Sequence, residues 1–120
     1  MKGLAFAFVL SAAAYLTIGM IWGIGMGIQE DFTMAPAHAH LNLVGGVLMA
    51  LFGLYYHAVP AAAATGLAKL HFALSTLGSW IFPAGIAIAQ HGPHGVAIVG
   101  SFLVLAAMVV FVIVVLRNRA

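Results

Sequence analysis

Four long apolar runs, each closed by a short break, leave this chain very few ways to fold. They cover about Gly3 to Ile28, Ala37 to Val59, Gly66 to Gln90 and Gly95 to Leu116. At 1.5 Å of rise per residue, each is long enough as a helix to cross about 30 Å of hydrocarbon. In hydrocarbon a backbone must satisfy its own N–H and C=O groups, which one segment alone can do only as an α-helix. The breaks read "QEDFTMAP", "PAAAATG" and "QHGPHG", which are proline, glycine and polar punctuation. Connections this short place neighbouring helices antiparallel. The expectation is therefore an all-α membrane protein, with one four-helix transmembrane domain over residues 1–120.

Charge supports the bilayer as solvent. Only 5% of the residues are charged and 65% are hydrophobic, too few charges to cover a soluble domain of this size. A formal net charge of +2 gives no reason to expect a nucleic-acid partner. The absence of cysteine excludes disulfides, thiolate metal sites and cysteine-bound iron–sulfur clusters. Lys2 followed by an apolar stretch and "SAAA" (Ser11 to Ala14) has the outline of a signal peptide, but the apolar run continues to Ile28, so a retained helix is expected. Lys2, Lys69, Arg117 and Arg119 all fall on the side that holds both termini, and Glu30 and Asp31 fall on the other. The positive-inside rule places both termini in the cytoplasm, as for a protein of a bacterial inner membrane.

The six histidines then sort by depth. His38 and His40 begin the second helix near the outer face, and His91 and His94 bracket the outer loop. His57 ends the second helix and His71 begins the third; both read as interfacial residues of the inner side. Residues two apart on an α-helix point about 200° apart, so His38 and His40 cannot chelate one ion on a regular helix. They can instead present one imidazole to each of two sites flanking the helix. Asn42 and the carbonyls near Pro36 are the nearest groups able to orient the rings.

The segment "DFTMAPAHAHLNLVGGVLMALFGLYYHAVP" (Asp31 to Pro60) resembles the tenth transmembrane helix of heme-copper oxidase catalytic subunits, those of cbb3-type oxidases and nitric oxide reductases above all. The shared features are His38 and His40, then Gly45 and Gly46, Gly53, Tyr55 and Tyr56, and Pro60; "HLN" (His40 to Asn42) is also similar to the second helix of those subunits. In that family the His-x-His pair ligates two hemes, and twelve helices form three arcs of four. A chain one arc long implies a homotrimer of twelve helices, with one heme b at each interface, bound by His38 of one copy and His40 of the next, or the reverse. Asn42, Gly45 and Gly46 would line that site, and His91, His94, Trp80 or backbone amides would meet the heme propionates. The family's copper site requires a histidine pair on the helix equivalent to the third one here, which carries only His71. The resemblance therefore implies electron transfer or redox and gas sensing with an unknown redox partner, and gives no support for oxygen reduction.

Two other readings stay open: a copper or zinc binding or transport protein using His38, His40, His91 and His94, and a non-catalytic accessory or assembly subunit of an oxidase. Gly19, Gly23 and Gly27 repeat every four residues on the first helix and would admit another helix closely. Tyr15, Trp22, Trp80, Tyr55 and Tyr56 read as aromatics set by bilayer depth, with Tyr55 and Tyr56 in the inner belt. Glu30 and Asp31 read as solvated loop acids, and the methionines as packing residues.

Overall fold

The structure is a computed structural model and describes residues 1–119. Among them every regular element is helical. The elements are α1 (Gly3–Gln29), α2 (Ala35–Ala58), the short α3 (Pro60–Ala63), α4 (Gly66–Ala89) and α5 (Gly95–Arg117). The four longer helices are each long and apolar enough to cross a membrane, and their limits lie within two residues of those expected. We call the side holding the termini the terminal side, and the side holding Glu30 and His94 the loop side.

The helix limits have local causes. After α1, Glu30 adopts the left-handed conformation (φ 52°) and its N–H meets the Met26 and Gly27 carbonyls. Left-handed backbone at C′ is a common way to close a helix. Pro36 and Pro60 sit in first turns, where the missing N–H would have no helical partner. The Thr65 hydroxyl accepts from Ala68 N at 3.2 Å, capping α4.

Side chains show how the helices associate. α2 and α4 lie side by side. α1 packs on α2 and reaches α4 where Ser79 Oγ donates to Tyr15 Oη at 2.8 Å and where Phe8 meets Phe72 edge-on at 4.9 Å. α5 packs along α4 and reaches α2 where Phe111 meets Phe52 at 4.6 Å. The α4–α5 seam is tight because side chains are missing from it: a Cβ on Gly85 would strike the Ala97 backbone, and one on Gly100 the Phe82 backbone. Such close backbone approach is the usual basis of helix association where lipid removes the hydrophobic drive. The outer surface of α5 carries Ile98, Val99, Phe102, Leu105 and Val109, all exposed, as suits a hydrocarbon-facing helix.

Within α2 the ladder widens. Ala35–His40 is α-helical, Leu41–Val47 is π-helical, and Leu48–Ala58 returns to α. The widened part contains Gly45 and Gly46, which lie against α1; a Cβ on Gly45 would come within 2.7 Å of the Tyr15 ring. Single π turns inside α-helices are rare and concentrate at functional sites. This one begins at the residue after His40.

Candidate functional site

The two histidines of α2 do leave the helix on different sides, and both sides are covered by helices of the same chain. His38 turns toward α1, edge-on to Trp22 at 5.9 Å; His40 turns toward α4, edge-on to Phe82 at 5.0 Å. Both lie within the α-helical turn that precedes the widened segment, so the 200° divergence of a regular helix applies.

Their ring nitrogens are differently committed. His38 Nε2 lies 2.9 Å from the Gly19 carbonyl and 3.2 Å from Asn42 Nδ2. One nitrogen serves one of these at a time, donating to the carbonyl as N–H or accepting from the amide through its lone pair. In either form the atom is occupied inside the α1–α2 contact. His40 Nδ1 lies 2.7 Å from the Pro36 carbonyl. A carbonyl only accepts, so the ring proton is on Nδ1 and the lone pair of neutral His40 is on Nε2, an atom with no hydrogen-bond partner among the described residues. This is the arrangement by which metal-bound histidines are held in one tautomer and one orientation. Of the two orienting groups anticipated, the Pro36 carbonyl holds the His40 ring by Nδ1, whereas Asn42 meets His38 at Nε2.

Two of the three α1 glycines have a role here. A Cβ on Gly19 would collide with the Asn42 amide, and one on Gly23 would stand 3.0 Å from His38 Nε2, whereas Gly27 faces open space. The Gly19–Gly23 edge is thus the seat of His38 and Asn42 within one chain.

His91 and His94 are exposed in the loop between α4 and α5. Among the described residues no three His, Asp or Glu side chains come together to hold a metal ion, so His38, His40, His91 and His94 do not converge within one chain. Nearby, Asp31 Oδ1 accepts from the Thr33 N–H at 3.1 Å and hydroxyl at 2.7 Å. These two donors hold the exposed Asp31 carboxyl below the usual carboxylate range, the hydroxyl more than the N–H.

Three expectations need correction. His71 is not interfacial but fully buried, stacked on Phe111 at 5.0 Å and enclosed by Phe8 and Phe52. Its Nδ1 lies 2.8 Å from Tyr56 Oη, and its Nε2 has no partner. Tyr56, expected in an aromatic belt, is buried as that partner, and Tyr15 is buried with its hydroxyl on Ser79. A buried polar group is costly without a hydrogen bond, so these hydroxyls sit where a second polar side chain waits. His57 is exposed near the end of α2. The signal for His71 was in the sequence: His71, Ser75 and Ser79 recur every four residues and so share one face of α4.

Searches for related proteins found no matching family model, no matching curated protein and no matching solved structure.

Proposed function

We propose that this chain is an integral membrane heme b protein that carries electrons or senses redox state or a gas, and that His40 is its principal iron ligand. The observation that carries the reading is the His40 ring, whose Nδ1 is tied to the Pro36 carbonyl at 2.7 Å. That bond leaves Nε2 as an oriented donor for an iron, and imidazole is a ligand suited to heme iron. His38 is the second ligand. It must first leave the Gly19 carbonyl and Asn42, so the two ligands differ in readiness. Since the imidazoles leave α2 on opposite sides, the same helix serves two heme positions. We infer a homotrimer with one heme b per interface, His40 of one copy and His38 of the next on each iron. The resemblance of Asp31 to Pro60 to heme-copper oxidase catalytic subunits supports this arrangement. The bases on the terminal side support a bacterial inner membrane location with cytoplasmic termini. Bound heme would supply one-electron chemistry, its potential set by the axial ligands and by burial.

Titration of the purified protein with heme, followed by native mass spectrometry, tests this. The reading predicts three chains with up to three hemes, and no heme on the His40→Ala variant. Equal heme uptake by wild type and His40→Ala would overturn it.

A further inference from the structure

Buried polar atoms without partners are rare, and among the described residues one face of α4 holds two. His71 Nε2 and Ser75 Oγ are buried and unbonded, with His71 fully buried and Ser75 95% buried by its 5% exposure. One turn further on, Ser79 Oγ, also fully buried, donates to Tyr15 Oη at 2.8 Å. His71, Ser75 and Ser79 are spaced by four residues, about 6 Å of rise per step, which is one water's reach between side chains. A cavity of about 10 Å3 lies against Ser75, walled by Val44, Leu48, Phe52 and Met108. That is close to the space of a single water.

The line opens at its Tyr56 end and stops one ring short of a groove at the other, where Trp80 stands between. On the terminal side Tyr56, whose hydroxyl meets His71 Nδ1, lines an open cavity of about 320 Å3 together with Lys2 and His57. At the other end Trp80 packs on Tyr15 at 4.8 Å and forms a wall of an open groove of about 230 Å3 with Trp22 and Leu41. The aromatic rings packed on His71 are Phe8 from α1, Phe52 and Tyr56 from α2, and Phe111 from α5.

We propose that Tyr56, His71, Ser75, Ser79 and Tyr15 form a water-assisted proton relay running from the Tyr56–His57 mouth toward the Trp22–Trp80 groove. Each step breaks one O–H or N–H bond and forms another, with no net charge left behind. A hydronium at the mouth gives a proton to Tyr56 Oη as that oxygen gives its own to His71 Nδ1. His71 releases the proton it holds at Nε2 to a water at Ser75; Ser79 takes a proton from that side and gives its own to Tyr15 Oη, which releases its hydroxyl proton to a water on the groove side. Ring rotation or tautomer exchange resets His71. An imidazole is suited to this because its two nitrogens accept on one side and donate on the other. The relay does not depend on heme.

The test is potential-driven proton entry into vesicles of mixed zwitterionic and anionic lipid that contain the protein, potassium with valinomycin, and an internal pH dye. Wild type should acidify the vesicles faster than protein-free vesicles do. His71→Phe, which keeps a ring among Phe8, Phe52 and Phe111, should return the rate to the protein-free level. Ser75→Ala should lower it with the helical circular dichroism unchanged. Wild-type flux at the protein-free level, or undiminished flux in both variants, would overturn the relay.

Discussion

Removal of one oxygen from the α2–α4 contact should cost more than removal of both polar partners. Tyr56 Oη and His71 Nδ1 are 2.8 Å apart, and the two residues are 1% and 0% exposed. Among the described residues the bond is the only one the His71 ring makes, since Nε2 is unpartnered. Tyr56→Phe therefore strands the whole ring. An unsatisfied buried group costs about 1–3 kcal/mol in water-soluble proteins. Membrane proteins show smaller values, averaging about 0.6 and reaching about 1.7 kcal/mol, because the unfolded state in lipid also finds partners. Tyr56→Phe should then cost about 0.6–1.7 kcal/mol, a factor of roughly 3–18 in the folded-to-unfolded ratio. His71→Phe removes the unpaired Nε2 as well and keeps the aromatic stacking on Phe111, so it should cost less. In the double variant both polar groups are gone and the shape is kept, which can be nearly neutral. The assay is a double-mutant cycle in mild detergent, unfolding each variant with increasing SDS and following helicity and tryptophan fluorescence. The expected result is a coupling of about 0.6–1.7 kcal/mol, with the double variant more stable than Tyr56→Phe. Additive losses, or a Tyr56→Phe variant as stable as wild type, would refute the buried bond.

Further consequences follow from the α1–α2 seat and the loop. Gly19→Val should displace the Asn42 amide and loosen His38, with an overpacking cost of about 1–3 kcal/mol read in the same unfolding assay. A variant of wild-type stability would contradict the seat. Thr33→Val removes the stronger donor to Asp31, so the carboxyl should move up toward its ordinary range, as NMR titration would read. Because the folded carboxyl is held low, its contribution to stability is present above the ordinary carboxylate range and fades as pH falls through the folded value. Thr33→Val should weaken that acid-side dependence, and an unmoved titration would show that the hydroxyl does not act on Asp31.

The helices were legible because hydrocarbon permits a backbone little else, and prolines and glycines mark their ends. The divergence of His38 and His40 was also legible, since it needs only the helical period and a regular turn around them. What Nε2 of each ring meets was not legible. It depends on α1 presenting Gly19 and Gly23 where α2 carries Asn42 and His38, a relation between segments about twenty residues apart whose register no local pattern sets. The π turn after His40 escaped for a similar reason, since it follows the fit of Gly45 and Gly46 against Tyr15 and Leu16. His71 was misplaced because depth along a helix says nothing about which way a residue faces. The four-residue recurrence of His71, Ser75 and Ser79 did carry that direction.

The most direct test of the account is the reduced-minus-oxidised absorption spectrum of the purified, heme-supplied protein, compared with His40→Ala and His38→Ala. Two imidazoles on one iron give a six-coordinate low-spin heme. The account predicts sharp b-type bands in wild type and their loss in His40→Ala. In His38→Ala, retained heme should become five-coordinate and able to bind carbon monoxide. Absence of heme bands in wild type, or unchanged bands in His40→Ala, would contradict the account.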